Sequence, residues 1–269
     1  NLLDGGGNCR YNSRDATWWF LQSLQDYVFL SGDNIFTAKV PQIYPTDDEG
    51  IYNQSYRNRP DRPYRLMSDV VQEIMTRHAN GIHFREWNAG KNLDEFMNDE
   101  GFNIDIFTDW SNGFILGGNP ENCGTWMDKL GTSKKAKNQG IPASPRDGAA
   151  IELIGLLQST LRFLQICVDN DTYPHKGVKV MARNININGN NERIKEKFIT
   201  WNDWSNLLLS NFEGWFYIPT KPDYDYRYYI EQTRVSVRGI YKDTVGASNE
   251  FGDYQFRPNL VVAMTVAPD

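Results

Sequence analysis

Histidine and cysteine are scarce in this chain of 269 residues, with three of each. Cys9, Cys123 and Cys167 stand alone and form no CxxC pair, which argues against a disulfide scaffold or a cysteine zinc site and points to a reducing, cytoplasmic setting. His78, His83 and His175 show no HExxH or related ligand spacing, which argues against a metal hydrolase. Positive charge is in deficit, with 28 Lys plus Arg against 34 Asp plus Glu and a net charge of -6. Such a surface repels phosphate, so neither nucleic acid nor an anionic membrane is the expected partner. Long hydrophobic runs are missing too: the clean run Leu260 to Met264 is far too short to span a bilayer. No secretory signal opens the chain. Nor does a methionine: the chain starts at Asn1-Leu2-Leu3-Asp4 and stops at Ala267-Pro268-Asp269, just after an apolar run. The expectation is a single domain over 1–269, cut from a longer protein and incomplete at both ends.

What is present suffices for a large core, since 40% of the residues are hydrophobic and 13% aromatic. Helical periodicity dominates. Trp18, Leu21, Leu24 and Val28 recur at spacings of three and four between Ser13 and Leu30, with Gly32 past the end. Val70, Val71, Ile74, Met75 and His78 repeat the pattern over Ser68 to Ala79. The clearest helix is predicted from Arg146 to Val168, through Ile154, Leu157, Leu161, Leu164 and Val168. Another is predicted from Glu192 to Phe212, through Ile194, Phe198, Trp201, Trp204, Leu208 and Phe212. A last one starts near Pro258. Between them, Pro41 to Tyr64, Asn103 to Gly124 and 217–253 are rich in Gly, Asn, Asp, Pro and Tyr, and read as long loops with short hairpins. Loops of this length in a compact domain tend to carry function. The fold class read from this pattern is mainly α.

Four loop constellations mix charge, amide and aromatic groups. Arg14-Asp15 beside Trp18-Trp19 offers a donor and acceptor for adjacent sugar hydroxyls with an indole face for a pyranose ring. The alternative is a first-turn Asp facing the helix dipole above core tryptophans. Asp128, in Asn122-Cys123-Gly124-Thr125-Trp126-Met127-Asp128-Lys129, has the makings of a general acid if the indole partly buries it and raises its pKa, an effect Lys129 opposes. The alternative is a turn-forming Asp. Arg146, Asp147 and Glu152 precede or open the strongest helix, either as a substrate rim or as surface charge. Phe84-Arg85-Glu86-Trp87-Asn88 reads equally as a salt-bridged loop. The glycine-rich opening, Asp4 to Asn8, lacks the Lys-Ser or Lys-Thr of a phosphate loop. Carboxylates, amides and tryptophans in loops, without metal ligands or a nucleophile triad, fit a neutral polyhydroxyl ligand.

In order along the chain, the runs Leu2-Leu3-Asp4-Gly5-Gly6, Arg10-Tyr11-Asn12-Ser13-Arg14-Asp15-Ala16, Gly113-Phe114-Ile115, Gly117-Gly118-Asn119, Asn122 to Lys129, Gly140-Ile141-Pro142-Ala143, Pro145-Arg146-Asp147-Gly148 and Tyr254-Gln255-Phe256-Arg257 through Ala267-Pro268 resemble the glucosidase half of eukaryotic glycogen debranching enzymes. The resemblance spans nearly the whole chain. It implies part of an (α/α)6 double-layer helical barrel, as in glucoamylases, and hydrolysis of the α-1,6-linked glucose left at a trimmed glycogen branch. The partners it implies are glycogen and the rest of a bifunctional parent chain that also carries a 4-α-glucanotransferase. It implies no cofactor and no metal. By this resemblance Asp128 is the catalytic general acid, Arg14 and Asp15 hold the terminal glucose, Trp18 and Trp126 wall its subsite, and Arg146, Asp147 and Glu152 belong to the rim. The mechanism is then inverting, with a second carboxylate activating water. In this family that base is a Glu near the C-terminus of the full protein, expected beyond Asp269; Glu152 and Glu250 are the in-chain candidates.

Two other readings compete. A glucoamylase-type exo-glucosidase would act on linear α-1,4 chains. A non-catalytic glycogen-binding module would keep its affinity when Asp128 is changed to Asn.

Overall fold

A computed structural model describes residues 10–41, 64–86, 89–183, 194–249 and 251–268. Five α-helices lie among them: α1 (Ala16–Ser31), α2 (Met67–Asn80), α3 (Ile151–Asp169), α4 (Trp201–Phe216) and α5 (Asn259–Val266). Eleven strands are interleaved: β1 (Lys39–Pro41), β2 (Tyr64–Leu66), β3 (Ile82–Arg85), β4 (Asn103–Asp109), β5 (Phe114–Gly117), β6 (Ala149–Ala150), β7 (Gly177–Arg183), β8 (Ile194–Thr200), β9 (Tyr217–Ile218), β10 (Ile240–Tyr241) and β11 (Thr244–Val245). All pair antiparallel, in one three-stranded sheet, β3-β4-β5, and four two-stranded ones. The fold is therefore mixed, with helices at its centre and more sheet than the helical periodicity anticipates.

α3 is the hub, packed against α1, α4 and α5. Its length and composition would let it cross a membrane, but 78% of that stretch is buried inside the protein, as befits a core helix wrapped by other helices. Ile151, Leu153, Ile154, Leu156, Leu157, Leu161 and Leu164 are all essentially inaccessible. Each such side chain contributes about 1.5–3 kcal/mol on leaving water. The helix ends where Asp171 turns left-handed at φ 58° and the amides of Thr172 and Tyr173 close on the Cys167 carbonyl.

Two predicted boundaries move for local reasons. The helix expected from Glu192 starts at Trp201, because Thr200 and Asp203 form a reciprocal capping box there. The residues before it, Ile194–Thr200, pair as β8 with β7. The helix expected from Arg146 starts at Ile151, after the short strand β6. The segment Asn103 to Gly124, read as a loop with short hairpins, holds the β4–β5 hairpin: buried Ile104 and Ile106 alternate with exposed Asp105 and Phe107, a period of two. Its turn is closed by Asp109, whose side chain accepts from the Ser111 amide at 2.9 Å.

Buried indoles tie the helices to these loops through their single N–H. Trp204 donates to the Gly113 carbonyl at 2.9 Å and Trp201 to the His175 carbonyl at 2.7 Å. Half-buried Trp110 donates to the Ala79 carbonyl at 3.1 Å.

Candidate functional site

The loop Gly124 to Lys129 runs across the N-terminal ends of α1, α3 and α5, fastened at both ends. The Arg14 amide donates to the Gly124 carbonyl at 2.6 Å, and the Ala143 amide to the Lys129 carbonyl at 2.9 Å. Asp128 is exposed on this loop, and Trp126 beside it is 52% exposed. The indole therefore does not bury the carboxyl, contrary to the expectation from the sequence. What the loop offers is an accessible carboxyl next to an accessible aromatic face.

Behind the loop lies a buried polar cluster. Arg146, 4% exposed, spreads its guanidinium between two carboxylates. It makes a forked pair with both oxygens of Glu152 and donates from Nε to Asp243 Oδ2 at 2.8 Å and from Nη2 to Asp243 Oδ1 at 3.1 Å. Its Nη1 also donates to Thr125 Oγ1 at 3.3 Å, which ties the cluster to the loop. Burial works against the charge on Arg146, but the hydrogen bonds and charges of Glu152 and Asp243 outweigh it and hold its pKa above the ordinary value. Arg146 sits at φ 49°, a conformation that costs a non-glycine residue free energy and needs surrounding structure to hold it.

Arg14 braces the same cluster. Its side chain passes between Gly118 and Gly124, where a Cβ would lie 3.2 Å and 3.0 Å from guanidinium atoms. That explains the glycine in each of those two runs. The guanidinium donates to the carbonyls of Gly148 at 3.1 Å and Arg146 at 2.6 Å. Burial, and next the charge of Arg146, lower its pKa to about 10, so it stays a cation at neutral pH. Asp15 is buried, accepting from the Ser13 hydroxyl at 2.6 Å, and Asp147 is buried, accepting from the Ser248 amide at 3.1 Å.

Several predicted roles change accordingly. Trp18 does not wall a sugar subsite: it is fully buried and meets the His78 ring edge-on at 4.7 Å, because the helical periodicity that flagged it is that of a core face. Arg146 and Glu152 are not an accessible rim; they neutralise each other out of reach of solvent. Arg14 spends both terminal nitrogens on backbone carbonyls instead of presenting them to a ligand. Glu152, 0% exposed with both oxygens on Arg146, is not placed to activate a water. Glu250, Trp87 and Asn88, and the glycine-rich opening, lie outside the described residues.

Two central residues escape a reading from sequence. Asp243 lies in Tyr241-Lys242-Asp243-Thr244, a polar stretch without periodicity, and Asn259 opens α5. Asn259 is 0% exposed; it donates to Asp243 Oδ1 at 2.6 Å and accepts from Trp126 Nε1 at 3.0 Å. Arg257, which donates to Asp243 Oδ2 at 3.4 Å, also borders an open cleft of about 530 Å³ lined by Phe251, Phe256, Arg234 and Thr233. Such a cleft offers aromatic rings and planar donors, groups that suit a sugar chain.

The chain matches the amylo-alpha-1,6-glucosidase family over residues 1–269. It is 44% identical over 272 residues to the glycogen debranching enzyme of Saccharomyces cerevisiae, an alignment that takes in 100% of this chain and 17% of that protein. A family match along the whole length, joined to a relative of that identity, shows that this chain belongs to the amylo-alpha-1,6-glucosidase family.

Proposed function

We propose that this chain contributes the proton-donating side of an inverting α-1,6-glucosidase that removes the single glucose left at a trimmed glycogen branch, within a larger debranching polypeptide. The observation that carries the reading is the loop Gly124 to Lys129: an exposed carboxyl, Asp128, beside a half-exposed indole, Trp126, on a loop braced from behind by buried ion pairs. Asp128 protonates the glycosidic oxygen as the bond to the glucose C1 breaks. A second carboxylate takes a proton from the water attacking the opposite face, so the α-linkage yields β-glucose. Trp126 packs against the C–H face of the terminal sugar. Asp15 and Asp147 lie behind that surface, while Arg14, Arg146 and Glu152 act on the site through the loop they support. Glu152 is not used as the base, because both its oxygens are engaged by Arg146. The helices around α3 form part of a double-layer helical barrel whose loop end carries the site, and the protein works in the cytoplasm.

The test is glucose release from a branched oligosaccharide bearing one α-1,6 glucose, followed by NMR of the fresh anomer, with Asp128 intact and with Asp128→Asn. A loss of at least about a hundredfold, the low end of what general acid catalysis contributes, with β-glucose as the product of the intact protein, is expected. Unchanged release would remove Asp128 from the mechanism. Unchanged binding of glycogen with no hydrolysis by either form would favour a binding module.

A further inference from the structure

The geometry points to Asn259 as the positioning residue for Asp128, a role that rests on the reading of Asp128 as the proton donor; we propose that it sets where the carboxyl stands by holding the two residues before it. The Asn259 amide touches both. Its Oδ1 accepts from Trp126 Nε1 at 3.0 Å, and its Nδ2 lies 3.4 Å from the Met127 sulfur. The amide cannot turn over without loss. An indole N–H only donates and an ionised carboxylate only accepts, so Oδ1 must face Trp126 and Nδ2 must face Asp243. Asp243 is fixed in turn by Arg146, and Arg146 by Glu152. The relay thus runs from the first turn of the core helix α3, through α5, to the middle of the loop.

The rest of the loop is held by other means. Gly124 and Lys129 are fastened by backbone hydrogen bonds, and Thr125 by Arg146. Between those anchors, Trp126 has half its surface in solvent, and Arg257 Nη1 stands 3.8 Å from the Met127 sulfur, a long contact that without Asn259 leaves the indole able to swing and carry the backbone of Met127 and Asp128 with it. A carboxyl that must reach a leaving oxygen loses rate steeply with misplacement, whereas a residue that merely packs does not respond to the identity of the leaving group.

That difference supplies the experiment. In the full natural protein, Asn259→Ala, Trp126→Phe, their combination and Asp128→Asn are compared on two substrates: the branched oligosaccharide with one α-1,6 glucose, and α-glucosyl fluoride, whose leaving group departs with little need of a proton. Trp126→Phe keeps an aromatic wall, removes the N–H donor together with one ring of the indole, and alters a half-exposed position, so it folds even if Asn259→Ala does not. The expected result is a fall of about thirtyfold on the oligosaccharide for Asn259→Ala and for Trp126→Phe, as misplacement by a fraction of an ångström brings. Fluoride hydrolysis by Asn259→Ala should change by less than about threefold; for Trp126→Phe, whose ring also packs on the sugar, the loss on the oligosaccharide should exceed the loss on the fluoride by about tenfold, and the double variant should lose no more than either single one, as for two members of one link. Equal losses on both substrates, additive losses, or no loss on the oligosaccharide would overturn the proposal. If Asp128→Asn spares oligosaccharide hydrolysis, the reading of Asp128 fails and the proposal falls with it. If Asp128→Asn is selective for the oligosaccharide and the other two variants are not, only the proposal fails.

Discussion

Two layers of the site contrast in every physical respect. In front, Trp126 and Asp128 stand in solvent on a loop. Behind, Arg14, Arg146, Glu152, Asp243 and Asn259 are almost wholly buried, and their charges are compensated by one another. In the proposed function the chemistry falls to the exposed layer, and the layer rich in ionisable groups supports it. Buried charges in close pairs are poor acids and bases because each partner fixes the other's state; what they provide is geometry.

The sharpest way to break this contrast is to strand the rear layer. Arg146→Met leaves the Glu152 carboxylate buried without its cation, and leaves Asp243 the longer ion pair to Arg257 at 3.4 Å. A loss of about 3–5 kcal/mol is expected, the usual cost of breaking a buried ion pair from one side. Urea denaturation measures it. A loss under about 1 kcal/mol would mean that water reaches the cluster and that the two layers are not distinct.

Trp18 and Trp126 test the same contrast with one residue type. Trp18→Ala empties a closed core position against His78 and should cost about 3–5 kcal/mol in stability. Trp126→Ala takes away a half-exposed ring and the donor to buried Asn259 and should cost less, about 1–3 kcal/mol, while impairing glucose release. Equal stability losses would place both indoles in the frame.

These two tryptophans also show how far a sequence reaches here. The periodicity of α1 and α3 identified their core faces, and Asp128, Trp126 and Gly124 were legible as one constellation. Trp18 lay in an equally suggestive run, but helical spacing and a sugar-stacking role demand the same residue type, and only burial separates them. Asp243 and Asn259 could not be found. They are distant from Arg146 and Trp126 in sequence; Asp243 lies on a segment with no motif, Asn259 lies in a familiar run that gives it no role, and both acquire meaning only when folding brings the chain segments together. The strand β8 was hidden for another reason: Ile194 and Phe198 continue the helical spacing of Trp201, Trp204 and Leu208, and only the capping box at Thr200 separates the two elements.

The pH dependence of stability separates the layers more gently. Lys242, beside Asp243, is buried with its ammonium donating to the Tyr229 carbonyl at 2.5 Å and lying 5.0 Å from the centre of the Tyr254 ring. Burial lowers its pKa to about 8, against a smaller opposing pull from Asp253. Between that value and the ordinary one near 10.5 the unfolded chain holds a proton that the folded chain has released, so this group adds stability as pH rises across that window. Lys242→Met should flatten the rise relative to the parent protein; an unchanged pH slope would show the ammonium to be solvated.

His78 acts at the other end of the scale and supplies the smallest effect. Burial against Trp18 lowers its pKa, partly offset by the hydrogen bond to the Ile74 carbonyl at 2.8 Å, so the folded protein keeps it neutral. As pH falls below the ordinary value near 6.5, the unfolded chain takes up a proton that the folded one refuses, and stability falls by at most about 1.4 kcal/mol per pH unit from this group. His78→Gln removes that titration. The variant should be less stable than the parent at pH 7, through lost packing on Trp18, and the gap should narrow towards pH 5.5 in paired urea titrations. A gap that stays constant would mean that protonated His78 is accommodated, and that the floor beneath Trp18 is open to water while the floor beneath Trp126 is not.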